Sequence, residues 1–252
     1  MPSSDHPYTR FVIISSHRSG SNYLSSLLSS HPNIMSIGEI YNPSVLFADP
    51  GKPKLHGSRI AKVLRDVAPV WFLRHCIYHA YPAHIHAVGL RYFYLHAQGK
   101  FKPVLDYLIG EKTIRVIHLK RKNLLRSYWS LRAAQETDIW TVPSSSPLTQ
   151  PAVRLILEPR DCASYFTTME TFMTTFDTHF RHHKILEVEY EQLLINVNHE
   201  QKRLSAFLGV SPHALSASTK KLNNAPLSTI ISNYTVLKNH FRFTKWNHFF
   251  NE

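Results

Sequence analysis

The most constraining stretch of the sequence runs from Phe11 to Leu28, because its hydrophobic period changes partway along. Residues 11–14 form a short, largely β-branched apolar run, which is typical of a strand buried on both faces. From Leu24 onwards the apolar residues recur at helical spacing. Serine, glycine and cationic residues lie in between. The stretch therefore predicts a strand, a tight turn and the beginning of a helix.

The turn itself has the composition of an anion-binding loop, which we assign to residues 15–24. At the beginning of a helix, unpaired backbone N–H groups and the positive end of the helix dipole converge on one point. Arg18 adds a permanent charge, and Gly20 allows a bound group to approach the backbone closely. The other candidate ligands are polar neighbours in the same loop, namely Ser19, Ser21, Asn22 and Tyr23.

Two other interpretations of this loop stay open. The P-loop of nucleotide triphosphatases requires Gly, four residues and then Gly-Lys-Ser/Thr. This stretch lacks both the first Gly and the Lys, so an ordinary ATPase is disfavoured. The structural alternative is a helix that is merely N-capped by Ser19 or Ser21.

Composition narrows the class of protein. A chain of 252 residues with 43% hydrophobic content can bury a large core, and we expect one domain over residues 1–252. The 29 Lys and Arg against 17 Asp and Glu give a net charge of +12, which attracts polyanions. Nucleic acid, an anionic membrane, an acidic glycan and a multiply phosphorylated cofactor all qualify. Because the cations are scattered, a cofactor cleft is at least as consistent with the sequence as a nucleic-acid face.

Cysteines, histidines and the N-terminus bear on compartment and metal content. The two isolated cysteines, Cys76 and Cys162, do not form a disulfide framework by spacing. No leader or membrane-spanning run is evident, so we expect a cytoplasmic protein without membrane insertion. Histidines cluster between residues 75 and 86, but no acidic or thiolate residue stands at a telling ligand spacing. We therefore expect no metal site.

A second anion site is predicted where another strand ends. Residues 112–119 alternate branched apolar residues and run into three consecutive cations, after which a helix begins. Two serines lie on one face of that helix at i, i+3 spacing. A solvated basic turn is the alternative. We assign the site to residues 119–130, with Arg121, Lys122, Ser127 and Ser130 as its candidate ligands.

A candidate base stands at the end of a further strand. Residues 34–37 have the pattern of a short strand, and Gly38 and Glu39 follow at its C-terminal end. In an open parallel sheet, ligands bind beyond the carboxyl ends of the strands. Glu39 is therefore expected on the same side as the anion loops. The alternative is a surface glutamate paired with one of the many cations.

Strand-like and helical segments alternate along the chain, which predicts an α/β fold. We expect a single-domain, P-loop-like, three-layer structure with a central, mostly parallel sheet flanked by helices. The Phe and Met stripe of a helix over residues 161–182 is interpreted as core and not as a cofactor site. A Pro- and Ser-rich segment at residues 143–147 marks a loop, and residues 137–160 are a candidate mobile lid.

Taken in order, these motifs resemble those of the sulfotransferases that use 3′-phosphoadenosine 5′-phosphosulfate (PAPS). The resemblance is closer to the bacterial branch that includes nodulation-factor and trehalose sulfotransferases. Residues 17–24 resemble the loop for the 5′-phosphosulfate, residues 119–130 the 3′-phosphate site, and residues 31–39 the segment with a glutamate base. Later family signatures are similar to residues 189–193, 207–209 and 231–234.

The resemblance implies a role for each candidate residue. Arg18 and the amides of residues 19–22 would stabilise the transferring sulfuryl group, and Glu39 would accept the acceptor's proton. The 3′-phosphate would be held by Arg121, Lys122 and Ser130, where Arg121-Lys122 replaces the paired arginines of the family. Two further cations, Arg91 and Lys221, fall near basic positions of the family.

The expected function is sulfuryl transfer from PAPS to a hydroxyl or amine of a polar small molecule or carbohydrate, leaving adenosine 3′,5′-bisphosphate (PAP). The resemblance implies no metal, since the transferred group is already activated, and no nucleic-acid partner. Tyr, Trp and His side chains over residues 71–96 are interpreted as a wall for the acceptor, together with the loop at 137–160. The alternatives are a P-loop nucleotide kinase or hydrolase and a basic nucleic-acid-binding protein.

Overall fold

The computed structural model describes residues 7–42, 59–140, 153–218 and 225–251. At the centre of these residues lies a sheet of five strands, all of them parallel. The spatial order of the strands is β2-β3-β1-β4-β5. Their bounds are β1 Thr9–Ser15, β2 Ile34–Glu39, β3 Ala87–Phe93, β4 Arg115–Lys120 and β5 Ile185–Glu189.

Helices connect the strands and cover both faces of the sheet. Within the described ranges the α-helices are α1 Ser21–Ser29, α2 Arg59–Val67, α3 Pro69–Phe72, α4 Lys102–Gly110, α5 Leu124–Thr137, α6 Pro159–Phe180, α7 Tyr190–Ile195, α8 Val197–Leu208, α9 Leu227–Ile230 and α10 Tyr234–His240. A π-helical turn at Leu73–Ile77 extends α3, and short 3₁₀ turns lie at Tyr94–Ala97, Gly99–Phe101 and Asn247–Phe250. None of the described helices is both long enough and apolar enough to cross a membrane.

The alternating side chains of β1 divide the core into two layers. Val12 and Ile14 pack with residues of α3, α4 and α6 on one face of the sheet. Phe11 and Ile13 pack with α1, α7 and α8 on the other face. All four side chains are fully buried, as expected for a strand covered on both sides. The predicted three-layer α/β architecture is thereby confirmed.

Most predicted elements form with small differences at their ends. The strand expected over residues 112–119 begins at Arg115, and the helix expected over residues 161–182 begins at Pro159 and ends at Phe180. Proline is well suited to the first turn of a helix, because no N–H is needed there. β2 continues through Gly38, so Glu39 is the last residue of the strand and not part of a turn.

The order of the strands places a crevice between the carboxyl ends of β1 and β4. From β1 the chain passes through α1 to β2 on one side of the sheet, whereas from β4 it passes through α5 and α6 to β5 on the other side. Neighbouring strands whose connections diverge leave an opening at their carboxyl ends, where ligands of open α/β sheets bind. Both predicted anion loops border this opening.

Candidate active site

The β1–α1 loop turns tightly onto the beginning of α1. Arg18 and Gly20 both have positive φ, of 60° and 89°. A Cβ on Gly20 would lie 2.1 Å from the ring of Tyr190, so no other residue fits without displacing that ring. Gly20 is the N-cap of α1, where no side chain accepts a hydrogen bond, and the first turn holds no acidic residue. The protein's own side chains therefore leave the positive end of this helix uncompensated.

The β4–α5 loop is joined to this first loop by hydrogen bonds. The buried Arg121 donates from Nη1 to the backbone carbonyl of Arg18 at 2.7 Å, and its guanidinium lies over the ring of Tyr190 at 5.1 Å. In the other direction, Arg18 Nε donates to Ser130 Oγ at 3.0 Å. The structure thus brings Arg18, Arg121 and Ser130 together, as the sequence predicted.

A third guanidinium enters the same region from β3. Arg91 donates from Nη1 to Asn22 Oδ1 and, at 3.4 Å, to Ser21 Oγ. Arg91 lies near the start of α1 because β3 pairs with β1, with Arg91 opposite Ile13. The sequence analysis noted this cation but did not place it beside the first anion loop, because nothing in the local sequence indicates that β3 pairs with β1.

None of these three arginines forms an ion pair with a carboxylate of the described residues. Across the described residues, no carboxylate oxygen lies within 4.0 Å of the guanidinium of Arg18, Arg91 or Arg121. Burial lowers the pKa of all three, and the nearby Arg121 helps to lower that of Arg18 to about 10. The Nε atoms of Arg91 and Arg121 are buried without any hydrogen-bond partner. Concentrated positive charge with orphaned donors is what an anion would satisfy.

Other predicted anion ligands lie elsewhere or make other contacts. Lys122 is exposed, and its ammonium pairs with Glu189 at 2.8 Å. Ser127 is buried and hydrogen-bonds to the hydroxyl of Tyr165 at 2.9 Å. Lys221 lies outside the described residues, as does half of the candidate lid, residues 141–152.

Glu39 lies in a pocket of histidines. Its Oε1 is 3.3 Å from Nε2 of His96 and 4.0 Å from Nε2 of His17. Neither contact meets hydrogen-bond geometry, so this buried oxygen has no hydrogen-bond partner among the described residues. Burial acts to raise the pKa of Glu39, but His96, Arg91 and His17 outweigh it and bring the pKa below its usual value. The group is therefore an ionised carboxylate near neutral pH, with one oxygen able to accept a proton.

The two histidines differ in how they are held. The backbone N–H of Phe93 donates to Nδ1 of His96 at 3.1 Å, so Nδ1 is the acceptor and Nε2, which faces Glu39, is the nitrogen that carries a proton. The ring of His17 packs against Phe93. Burial lowers the pKa of His17, and His96, Arg18 and Arg91 add to this effect against the opposing charge of Glu39. His17 is therefore neutral near pH 7.

His118, the histidine near the end of β4, lies in a separate network. Its Nδ1 bonds to Asp177 Oδ1 at 2.8 Å and its Nε2 to the hydroxyl of Tyr94 at 2.6 Å. Burial, followed by the charge of Lys120, lowers the pKa of His118 to about 4. Both ring nitrogens are occupied, which leaves this histidine without a free site for an acceptor proton.

A cavity of about 360 Å³ adjoins the β1–α1 loop at Ser16 and His17. Its other walls come from the 3₁₀ turn after β3, from α5 and from α6, and they are mainly apolar or aromatic. They consist of Tyr94, Leu95, Leu131, Gln135, Trp140, Tyr165, Met169 and Phe172.

Two sequence interpretations are modified by this cavity. Within the stretch 71–96 that was expected to form an acceptor wall, Tyr94 and Leu95 line the cavity, whereas Trp71 stacks on His75 at the surface. The stripe of α6 is mainly core, as predicted, but Met169 and Phe172 also line the cavity.

The described residues contain no group of three or more His, Cys, Asp and Glu side chains that could hold a metal ion.

Sequence reasoning missed His17 and Tyr190 as parts of the site. His17 could have been found from its position inside the loop motif. Tyr190 could not, because its ring reaches Gly20 from a helix about 170 residues later in the chain.

Comparison with known proteins finds similarity to sulfotransferases over nearly the full length of this chain. A family model described as the sulfotransferase domain matches residues 8–249. Nodulation protein H of Rhizobium tropici is 29% identical over 242 residues, which cover 95% of this chain and 92% of that protein. Nodulation protein H of Rhizobium meliloti (strain 1021) is 28% identical over 258 residues, covering 99% of this chain and 98% of that protein.

Solved structures give weaker likenesses. The sulfotransferase from Alicyclobacillus acidocaldarius superimposes with a TM-score of 0.45 at 12% identity, covering 98% of this chain and 97% of its own. The sulfotransferase domain of the Synechococcus PCC 7002 olefin synthase gives 0.44 at 16% identity, covering 93% and 86%. At these TM-scores neither likeness carries an argument of its own. The family model, by contrast, spans almost the entire chain and confirms the predicted resemblance, and the protein therefore belongs to the sulfotransferase family.

Proposed function

We propose that this protein transfers a sulfuryl group from PAPS to a hydroxyl or amine of a small-molecule or glycan acceptor. One observation carries the proposal. Three buried or half-buried guanidiniums, none of which forms an ion pair with a described carboxylate, lie near the carboxyl ends of β1, β3 and β4, beside an ionised glutamate. A donor with two separate anionic ends matches two linked cationic loops.

The residues at the crevice fit such a donor. The uncapped beginning of α1 suits a phosphosulfate, because backbone N–H groups and the helix dipole favour negative charge there. The orphaned Nε of the buried Arg121 suits a second anion, which would supply the missing hydrogen bond. When bound, PAPS supplies an already activated sulfuryl group whose leaving group is a phosphate.

The proposal gives each loop its own task. Arg18 and the amides of residues 19–22 stabilise the negative charge that develops on the sulfuryl group and on the departing oxygen. Arg121 and Ser130 hold the 3′-phosphate, which distinguishes PAP from ADP. Lys122 is an outer cation for the same phosphate, and it must leave Glu189 to reach it. Lys221 keeps its proposed place among the cofactor ligands.

Glu39 is proposed as the base. Its Oε1 is buried, ionised and without a hydrogen-bond partner, so a proton from the acceptor would satisfy it. His96 is fixed by Phe93 with its Nε2–H towards the carboxylate, and it holds Glu39 in place.

The proposal is tested by calorimetric titration with PAP and ADP, without metal, in the wild type and in Arg121→Ala. We expect the wild type to bind PAP at least about tenfold more tightly than ADP, because ADP lacks the 3′-phosphate. Arg121→Ala should remove most of that preference. Equal affinity for ADP, or binding of ATP only with magnesium, would instead support a nucleotide kinase or hydrolase.

The assignment of Glu39 has its own test. Glu39→Gln keeps the size of the side chain and removes the base, so turnover of PAPS with an acceptor should fall about 100-fold or more. PAP binding should change less than threefold, because the described approach of Glu39 to the anion loops is a 4.0 Å separation from His17, which is not among the proposed cofactor ligands. Full turnover by Glu39→Gln would rule out this residue as the base.

A further inference from the structure

Helix α2 presents an apolar face to solvent. Its Ile60, Val63 and Val67 are 75%, 60% and 79% exposed, whereas Arg65 of the same helix is fully buried. With 3.6 residues per turn, the three exposed side chains fall within an arc of about 60° on one side of the helix. We call them the aliphatic stripe. A surface helix ordinarily turns such a stripe towards the core and its charged residues towards water.

Hydrogen bonds made by Arg65 fix this orientation of α2. Its Nη1 donates to the backbone carbonyls of Ile40 and Asn42, both at 2.9 Å, and its Nε donates to Asp66 at 2.8 Å. A rotation of the helix that buried the aliphatic stripe would bring Arg65 to the surface and break these bonds. The stripe therefore faces outwards as a consequence of how α2 is attached to the end of β2.

Exposed apolar side chains are concentrated at this place in the fold. In the described part of the chain, eleven large apolar side chains are exposed, and four of them lie within residues 60–71. The fourth is Trp71 of α3, which is 48% exposed and stacks on the exposed ring of His75 at 4.6 Å. No other described helix or strand carries two of the eleven. Single exposed apolar side chains are ordinary, but a group of them marks an interaction surface.

Cations accompany the aliphatic stripe. Arg59 is exposed and Lys62 is half-buried on the same helix, and neither forms an ion pair with a described residue. The acidic residue of α2, Asp66, is already paired with Arg65 at 2.8 Å and with Lys100 at 2.9 Å. The surface thus combines exposed apolar side chains with cations that no described carboxylate neutralises. This combination is typical of helices that lie on anionic membranes.

The charges favour a lipid surface over a second copy of the chain. In a two-fold contact the same patch of both copies meets, so Arg59 and Lys62 would approach their own counterparts, in a protein of net charge +12. At an anionic bilayer the same two cations meet lipid phosphates, and the aliphatic stripe enters the apolar boundary below them. Tryptophan is enriched at this depth of a membrane, which suits Trp71.

We propose that α2 and the beginning of α3 attach the protein to the surface of an anionic membrane, with the aliphatic stripe and Trp71 at the boundary between headgroups and acyl chains. The helix lies along the surface, because nine residues are too few to cross a bilayer. This attachment goes beyond the proposed function, and vesicle binding and PAP binding are measured separately, so either can fail alone.

The test is flotation of the full chain with vesicles of phosphatidylcholine that contain about one third phosphatidylglycerol, at about 0.15 M salt. We expect the wild type to float with these vesicles and to bind at least about tenfold more weakly to phosphatidylcholine alone. Val67→Glu places a negative charge in the stripe and should weaken binding to the anionic vesicles at least about tenfold.

Ile195→Glu is the matched control. Ile195 is 73% exposed and is the last residue of α7, as Val67 is the last residue of α2, so the two substitutions change charge and apolar surface alike. The control should weaken binding to the anionic vesicles less than threefold, because α7 lies outside the proposed surface. Both variants should keep the wild-type unfolding midpoint and bind PAP as the wild type does.

Three results would overturn the attachment. A wild type that does not float with anionic vesicles removes the lipid partner. Equal weakening by Val67→Glu and Ile195→Glu would mean that the net charge alone attracts the vesicles. If Val67→Glu instead converts a dimer to a monomer in sedimentation, or lowers the unfolding midpoint more than the control does, a second copy or the chain itself covers the stripe.

Discussion

The two loops that border the crevice are built in opposite ways. In the β1–α1 loop no side chain caps the helix, and Gly20 at the N-cap packs directly on Tyr190. In the β4–α5 loop, Asn123 caps the helix by accepting the N–H of Arg126 at 2.9 Å. Glu191 accepts the N–H groups of Lys122 and Asn123 at 3.1 and 3.3 Å.

The difference shows that two loops beyond parallel strands can offer different groups to an anion. In the first loop no side chain caps the start of α1, so its backbone N–H groups are available to an anion. In the second loop, backbone N–H groups already donate to Asn123 and Glu191. An anion at the second loop must therefore be held by side chains, chiefly Arg121 and Ser130. The four predictions below test whether the first loop binds an anion through its main chain and the second loop through its side chains.

Gly20→Ala should have the largest effect, because it destroys the main-chain site. The new Cβ meets Tyr190 at 2.1 Å, and the residue must also keep a φ of 89°. We expect a loss of about 3 kcal/mol or more in unfolding free energy, together with a loss of PAP binding. Thermal and denaturant unfolding measure the first effect, and calorimetry measures the second.

Gly99→Ala is the matched control for this substitution. Gly99 also has positive φ, of 74°, but a Cβ there meets nothing within 4 Å. The variant should lose about 1 kcal/mol from backbone strain alone and should bind PAP normally. Equal losses in the two variants would mean that the contact with Tyr190 is unimportant.

Arg121→Ala and Lys122→Ala test the side-chain site. Arg121 is buried with an orphaned Nε, whereas Lys122 is exposed and paired with Glu189. We expect Arg121→Ala to weaken PAP binding about 100-fold, since charge-assisted hydrogen bonds to a phosphate are lost. Lys122→Ala should weaken it less than threefold. A larger effect at Lys122 than at Arg121 would contradict the assignment of Arg121 as the main ligand and Lys122 as an outer cation.

Glu191→Gln would sharpen the contrast from the other side. Glu191 accepts hydrogen bonds from backbone amides of the second loop, and its negative charge also acts to raise the pKa of Arg121. Removing that charge should tighten PAP binding about threefold and cost about 1 kcal/mol of stability, because a charged cap becomes neutral. Glu136→Gln, at the other end of α5, is the control and should change neither quantity. Weaker PAP binding in Glu191→Gln would contradict the assignment of Glu191 to the loop alone.

The smallest effect that we expect is a pH dependence of PAP binding that comes from His17 in the first loop. The pKa of His17 lies below its usual value, so the ring takes up a proton as the pH falls, and a bound anion favours that uptake. The His17 contribution should therefore make PAP binding about threefold tighter at pH 5.5 than at pH 7.5. Titration of PAP itself is common to wild type and His17→Gln, so the contribution is the difference between their profiles. Identical profiles would exclude His17.

Local pattern predicted the fold and the first loop well. The buried run at Phe11–Ile14 and the helical spacing from Leu24 are visible in the sequence, because burial on two faces and on one face leave different periods. The anion loop lies between them, so its position follows from theirs. At the end of α8, Gly209 adopts the left-handed conformation that closes a helix, for which glycine is the usual residue.

The second loop was harder to predict because side-chain direction alternates along an extended chain. Three consecutive cations were expected to act together, but they point to different surroundings. Lys120 pairs with Asp177 and Glu187, and Lys122 pairs with Glu189, whereas Arg121 turns inward to the first loop. The acidic partners come from β5 and α6, and no spacing within residues 119–130 announces them.

The hydrogen bond from Arg121 to the carbonyl of Arg18 makes the two loops parts of one equilibrium. An anion that orders either loop also fixes one end of this bond, and so favours the ordered form of the other loop. Thermodynamic reciprocity makes the coupling equal in both directions. Pyrophosphate and adenosine 3′-monophosphate, each carrying one end of the donor, should thus raise each other's affinity. Such cooperativity between fragments would exist before any acceptor arrives.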